Sequence, residues 1–132
     1  MRVMGVEANS NKLSFVVVGD DDGEVVVYDK GRIDLAETRQ KAAMDLFASE
    51  LKVVLEKNSL DLVIVKLKPE KGQMRAGAAS LKMEAALMLC ATCDVRFTSG
   101  KKLLTIEEPD KLFSYLKVSW KVAVLGLNSL NE

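Results

Sequence analysis

The residue that most directly suggests chemistry is Glu7, the acid that ends a short apolar run at residues 2–7. A turn and a second apolar run, "KLSFVVVG", come next, so Glu7 is predicted to lie at the tip of a first strand. Carboxylate oxygens suit Mg²⁺ and Mn²⁺, and two such ions about 4 Å apart can clamp the attacking and leaving oxygens of a phosphodiester. Glu7 is therefore a candidate metal ligand and a candidate catalytic residue.

A second candidate is the basic segment from Lys66 to Lys82, which runs from the end of the fourth predicted strand into the next helix and contains Glu70 as its only acid. Its cations are Lys66, Lys68, Lys71, Arg75 and Lys82. Glycines in such a loop let the backbone approach a phosphate, and a helix N-terminus offers free N–H donors. The segment lacks the spacing of a P-loop. Two interpretations stay open: an anion- or nucleic-acid-binding site, and a solvated loop with a helix cap near Ser80.

Two other patterns are explained more simply by structure. Cys90 and Cys93 have C-x-x-C spacing, but a zinc ribbon needs a second pair, and the cysteines lie near the end of a helix instead of beginning one. They are predicted to be small buried hydrophobes.

The aspartates of "GDDDGE" lack the alternate spacing of a calcium loop and predict a hairpin turn. The chain contains no histidine, which excludes histidine-based triads and histidine-ligated zinc.

Composition indicates an ordinary globular protein, predicted to be a single domain over residues 1–132. The sequence is 48% hydrophobic and 29% charged, and 19 basic side chains balance 19 acidic ones. Any anion binding must therefore come from a local patch. The sequence shows neither a signal-peptide pattern nor an uncharged apolar stretch long enough to span a membrane, so we expect a cytoplasmic location and no membrane partner.

The elements that must position these residues are indicated by hydrophobic patterning. Three consecutive segments predict antiparallel strands: residues 2–7, 13–18 and 24–33. The turns between them are expected at 9–11 and 19–23. Apolar side chains at three- and four-residue steps then predict an amphipathic helix over 34–58, and the apolar run 60–68 predicts a strand buried on both faces.

The second half of the chain predicts two helices separated by a strand at 94–99. Residues 78–92 are apolar almost all the way round, so this helix is expected to be covered on more than one side, or to form a dimer interface. The residues expected in the core are Met74, Met83, Met88 and Trp120. The tail at 112–127 has helical spacing and is predicted to form a last helix, although Val118, Val122 and Val124 would also suit a strand. Because strand–helix–strand units form right-handed parallel crossovers, this order indicates an α/β fold with a mixed five-stranded sheet and helices on both faces.

This pattern resembles the ribonuclease H-like superfamily, and its Holliday-junction resolvase branch in particular. It is most similar to an uncharacterised bacterial group, a domain of unknown function. The resemblance rests on "GVE" followed by a hairpin, and on "KGQMRAGAASLKMEAAL" after the fourth strand. In active members, acids from strands and from a helix converge to hold two divalent ions. The resemblance thus implies Glu7 as the first ligand.

The sequence departs from that pattern at the other two acid positions. The resemblance places Lys66 where an acid usually ends the fourth strand, and Lys121 where an acid usually lies on the last helix. An ammonium removes a ligand and repels a metal, so no metal or other cofactor is predicted. Glu7, Lys66 and Lys121 are expected to line the former catalytic cleft together, with Glu7 paired to a lysine.

We therefore predict a degenerate, non-catalytic nuclease-like domain that binds a partner, with nucleic acid as the candidate, through this cleft. The anion-binding residues would be Lys68, Lys71, Arg75 and Lys82. One alternative is a nuclease dependent on Mg²⁺ or Mn²⁺ that uses Glu7 and Glu70 with an acid among 107–110, namely Glu107, Glu108 or Asp110. Another is a homodimeric interaction module.

Overall fold

The computed structural model describes residues 1–69, 71–72, 76–109 and 111–132, and its elements alternate as the sequence predicts. The strands are β1 (Arg2–Asn9), β2 (Lys12–Asp21), β3 (Glu24–Asp34), β4 (Leu62–Lys66) and β5 (Asp94–Thr98). The helices are α1 (Lys41–Asn58), α2 (Ala78–Cys90) and α3 (Lys117–Leu130). Two 3₁₀ segments, Gly100–Thr105 and Ser114–Leu116, lie between β5 and α3.

The five strands form one mixed sheet in the order β3-β2-β1-β4-β5. The hairpins pair β1 with β2 and β2 with β3 in antiparallel fashion. The crossovers through α1 and α2 place β4 parallel to β1 and β5 parallel to β4. The predicted mixed five-stranded sheet is confirmed.

Both hairpin turns are tighter than predicted because the strands extend further toward them. Ser10 (φ 56°) occupies the left-handed region in the first turn. In the second, Asp22 (φ 51°) and Gly23 (φ 84°) do so, and Asp20 Oδ1 accepts a 2.9 Å hydrogen bond from the Gly23 N–H. Two successive left-handed residues match the twist of a β-hairpin, which explains why Asp-Gly is favoured there.

Helices cover both faces of the sheet, as predicted, and each face has its own core. Helices α1 and α2 pack on one face through Phe47, Leu51 and Met83, among others. Helix α3 packs on the other through Val122 and Leu127. Alternate strand residues therefore point to opposite cores, and this alternation decides which polar side chains meet α3.

A close approach at Gly5 holds α3 against β1. A Cβ built on Gly5 would lie 2.1 Å from the Ser119 carbonyl oxygen and 2.3 Å from the Ala123 nitrogen, so only glycine fits. The Ser119 hydroxyl also donates a 3.0 Å hydrogen bond to the Ser14 carbonyl. The first half of α3 is thereby placed beside the end of β1 that carries Glu7.

The first helix begins later than the sequence predicts. Asp34 still belongs to β3, and α1 begins at Lys41 instead of residue 34. The Leu35 N–H donates a 2.8 Å hydrogen bond to the Asn11 carbonyl, and the Leu35 side chain is fully buried. These contacts hold Leu35 at the end of the sheet, outside the helix in which the sequence prediction had included it.

Helix α2 packs against both the sheet and α1, where it buries Met83. Its outer side is not covered, because Leu81, Met88 and Leu89 are exposed. The prediction for Met88 was therefore incorrect, and Met74 lies outside the described residues. Cys90 and Cys93 are half-buried and pack against the core, and burial raises the pKa of the Cys93 thiol.

The tail of the chain is helical, as its spacing favours, but the helix begins at Lys117 instead of residue 112. Trp120 is only partly buried, and Phe113 precedes the helix on the surface. Among the described residues, no helix has the length and apolar character needed to cross a membrane.

Candidate nucleic-acid interface

A row of polar residues crosses the sheet on the α3 face at the end where β1 and β4 finish. Strand register places Glu7 opposite Ser14, Ser14 opposite Arg32, and Lys66 opposite Thr98. Lys66 comes directly after the Val65 that pairs with Val6, so it lies beside Glu7. Because the neighbouring residues Gly5, Val16 and Ile64 on this face pack under α3, the polar row begins where the second core ends.

Glu7 and Lys66 form an ion pair within this row. Lys66 Nζ lies 3.6 Å from Glu7 Oε2, and the two side chains are 31% and 16% exposed. Partial burial shields the pair from solvent screening more than a surface pair. An ammonium thus faces the one carboxylate that the sequence offers as a metal ligand at the end of β1.

Lys68 adds a second positive charge near the same carboxylate. Burial lowers the pKa of the Lys68 ammonium, and the Glu7 carboxylate opposes that effect, while Lys66 reinforces it. Lys68 Nζ also donates a 3.2 Å hydrogen bond to Asn9 Oδ1. The charge of Glu7 therefore acts on Lys68 as well as on its ion-pair partner Lys66.

The structure places the other predicted anion-binding residues apart from this pair. Lys71 is exposed in the loop after β4. The Lys82 ammonium donates a hydrogen bond to the Thr38 carbonyl, so Lys82 ties α2 to the segment before α1. Arg75 lies outside the described residues.

Lys121 does not reach Glu7 in the way the sequence analysis expected. Its Nζ lies 3.5 Å from Glu108 Oε1, and Lys117 Nζ lies 3.7 Å from Glu108 Oε2. Ser119 and Ala123 face the sheet at Gly5. Lys121 lies two positions along the helix from each of them, so it points to the opposite side of α3. Lys121 therefore faces the segment that carries Glu108, with α3 between it and the sheet.

The described carboxylates do not fit a two-metal site. In residues 1–69, 71–72, 76–109 and 111–132, no three Asp, Glu or Cys side chains cluster as metal ligands would. Glu7 is paired with Lys66, Glu108 is shared by two lysines, and Glu107 is exposed. Glu70 and Asp110, the remaining acids of the nuclease alternative, lie outside the described residues.

This end of the sheet instead carries more cations than acids among its described ion pairs. Glu7 pairs with Lys66, and Glu108 is shared by Lys117 and Lys121. Asp34 is shared by Lys12 and Arg32, at 3.6 and 3.7 Å. We call these eight residues, together with Lys68, the basic end. Its ion pairs join five cations to three acids, in a chain of zero net charge.

Sequence reasoning missed Lys12, Ser14, Arg32 and Lys117 as members of this surface. For Ser14 and Arg32, the positions of the hairpin turns could have predicted their place in the row. Once β1 and β2 are paired across the turn at 10–11, Glu7 must lie opposite Ser14, and the next hairpin brings Arg32 into the same row. Lys117 carried no comparable signal, because its position depends on how α3 docks.

Comparison with solved structures supports the fold. The chain resembles RuvC of Thermus thermophilus with a TM-score of 0.75 and 13% identity, over 99% of this chain and 96% of that one. The same protein in complex with a Holliday junction substrate matches with a TM-score of 0.73, 13% identity and the same coverage. The fowlpox virus Holliday junction resolvase matches with a TM-score of 0.60 and 8% identity, over 98% of this chain and 99% of that one.

These likenesses confirm the ribonuclease H-like fold of the resolvase branch that the sequence predicted. At such low identity, they establish the fold and leave the activity open. No curated protein matches the chain. The profile of the family described as "Protein of unknown function (DUF3010)" matches residues 1–124, and the chain therefore belongs to that family.

Proposed function

We propose that this protein binds nucleic acid through the basic end without cleaving it. The observation that carries the proposal is the 3.6 Å ion pair between Lys66 and Glu7. It puts a fixed positive charge beside Glu7, at the tip of β1.

The geometry opposes catalysis by two metal ions. Such catalysis needs several carboxylates to neutralise two divalent ions about 4 Å apart. The ammonium of Lys66 already neutralises Glu7, and it would repel an ion placed at the same carboxylate. A reaction step through a metal is therefore not part of the proposal.

The charge distribution supports a polyanionic partner. Five cations share three acids in the ion pairs of the basic end, and Lys68 adds a further positive charge, so phosphate groups can pair with the cations that are in excess. The resolvase-like fold supports the same partner, because one solved neighbour is a complex with a Holliday junction.

Binding and cleavage should be measured on the same samples. Fluorescence anisotropy with a labelled four-way junction and a duplex arm of the same sequence, at several salt concentrations, measures affinity. Gel analysis after incubation with Mn²⁺ measures cleavage. We expect affinity that falls as salt rises, and intact substrate. Salt-independent affinity or no binding overturns the nucleic-acid partner, and cleavage that is lost in Glu7→Gln overturns the non-catalytic assignment.

Self-association is a second candidate, favoured by the outer side of α2. Leu81, Met88 and Phe97 are exposed around a groove of about 350 Å³, and Leu89 beside them is 87% exposed. The edge of β5 carries Asp94 and Arg96. Asp94 and Arg96 form a 2.9 Å ion pair within the chain. A second copy paired antiparallel about Val95 would place each Asp94 opposite the Arg96 of its neighbour, so that these two charges could also pair between the copies.

A further inference from the structure

Two aromatic side chains beside the basic end are exposed to solvent. Phe113 is 68% and Tyr115 is 42% exposed, although the adjoining Leu116 is fully buried. The two rings lie nearly parallel, with centroids 6.0 Å apart and an interplanar angle of 11°. The segment before α3 therefore leaves ring surface of Phe113 and Tyr115 in contact with solvent instead of adding it to the core.

Arg32 connects these rings to the polar row. Its guanidinium carbon lies 5.0 Å from the centroid of Tyr115, which is the geometry of a cation–π contact. Arg32 also lies in register with Ser14, which pairs with Glu7. From Arg32 on β3 to Lys66 on β4, the row spans three strand spacings, or about 14 Å.

We infer that Phe113 and Tyr115 form a stacking platform for an unpaired base, with Arg32 and Lys66 contacting the phosphates that flank it. This inference rests on the proposed function and specifies its ligand as nucleic acid with unpaired bases. Aromatic faces stack on any base, and a neighbouring arginine adds both a cation–π contact and a phosphate contact. Bases within a continuous duplex are already stacked on their neighbours, so they cannot use the platform.

The test compares a single-stranded oligonucleotide with a duplex of the same length and sequence, by fluorescence anisotropy at fixed salt. The double variant Phe113→Ala/Tyr115→Ala should lose roughly 5- to 150-fold in affinity for the single strand, the range expected for one stacked base. Its affinity for the duplex should stay the same. Since both rings are exposed, the variant should fold, and its melting temperature verifies this.

Two further variants separate stacking from simple apolar contact. Phe113→Leu/Tyr115→Leu keeps apolar area but removes the ring faces, so it should lose single-strand affinity as the alanine variant does. Val53→Ala, at an exposed apolar residue on α1, should leave the single-strand affinity unchanged. Retained affinity in the leucine variant would overturn the stacking inference.

The outcomes also separate this inference from the proposed function. Equal binding of duplex and single strand, unaffected by the alanine variant, would overturn the platform while leaving nucleic-acid binding intact. Failure of both ligands to bind would overturn the proposed function and the platform together.

Discussion

The ammonium of Lys66 lies 3.6 Å from the carboxylate of Glu7, where β4 ends beside the parallel strand β1, two residues before β1 itself ends at Asn9. The pair joins two candidate residues that are far apart in the chain, and it turns the one acid at the tip of β1 into half of an ion pair. Predictions about metal binding, nucleic-acid affinity, lysine titration, helix packing and self-association test the consequences of this pairing and of the surrounding structure.

Mn²⁺ should not stabilise the wild-type protein, because Lys66 repels a cation at Glu7. Lys66→Glu replaces that ammonium with a second carboxylate and should create a site for Mn²⁺. A ligand at a hundredfold excess over its Kd stabilises the folded state by about 2.7 kcal/mol, which a melting-temperature titration detects readily.

The controls for this titration are Lys66→Gln and the double variant Glu7→Gln/Lys66→Glu, neither of which should respond to Mn²⁺. A wild-type shift that disappears in Glu7→Gln would contradict the prediction. It would support the nuclease alternative with Glu70 and an acid among 107–110.

Lys66 and Glu7 should have opposite effects on nucleic-acid affinity. Lys66→Gln should weaken binding and reduce the slope of log K against log salt by about 1, because one phosphate contact is lost. Glu7→Gln should strengthen binding, because it frees Lys66 and removes a negative charge.

The matched control for these charge changes is Lys52→Gln, an exposed lysine on α1 across the sheet from the row. It should leave both affinity and salt slope nearly unchanged. An equal effect of Lys52→Gln would mean that binding depends on overall charge and not on the basic end.

Lys68 should titrate below its ordinary pKa of 10.5, because burial disfavours its charged form. Between its lowered pKa and 10.5, the unfolded chain binds more protons than the folded one. The Lys68 contribution to the free energy of unfolding should therefore rise with pH in this window and be constant below it. NMR titration of the lysine side chains, with Lys68→Arg for assignment, measures the pKa directly.

Nucleic acid should oppose this shift, because a phosphate near Lys68 favours the ammonium. The Lys68 pKa should rise when an oligonucleotide is added, whereas the signal of Lys52 should not move. A Lys68 pKa that stays unchanged when the oligonucleotide is added would place this lysine outside the interface.

Gly5→Ala should destabilise the protein by about 1–3 kcal/mol or more, because its Cβ would collide with the backbone of α3 at Ser119. Urea denaturation measures the change. Gly77→Ala is the control: its φ is −74°, and a Cβ there would meet no described atom within 4 Å. Comparable losses in the two variants would show that α3 does not pack closely on β1.

Association through α2 should be abolished by charges placed on its exposed side. If the protein self-associates through α2, the wild type should sediment as a dimer at micromolar concentration, and Met88→Lys/Leu89→Lys should sediment as a monomer. Leu104→Lys is the control, since Leu104 is about as exposed as Leu89 but lies in the 3₁₀ segment after β5. A monomeric wild type would leave the exposed side of α2 without this role.

The sequence by itself determined the order of the elements and their sheet. Period-two and period-three-to-four patterns are local, and strand–helix–strand connections have one favoured hand, so the mixed sheet with helices on both faces could be predicted. The pairing of Glu7 with a lysine could be suspected from the resemblance, since Lys66 ends the strand parallel to β1.

Only the tertiary structure decided which side chains meet around that pair. Lys121 turns away because the side of α3 that it occupies is set by the contact of Ser119 with Gly5, which no local pattern encodes. The start of α1 depended in the same way on the long-range bond from Leu35 to Asn11. The positions of Arg32, Phe113 and Tyr115 at one surface depend on strand register and helix docking, because contacts between distant segments are set by packing and not by sequence spacing.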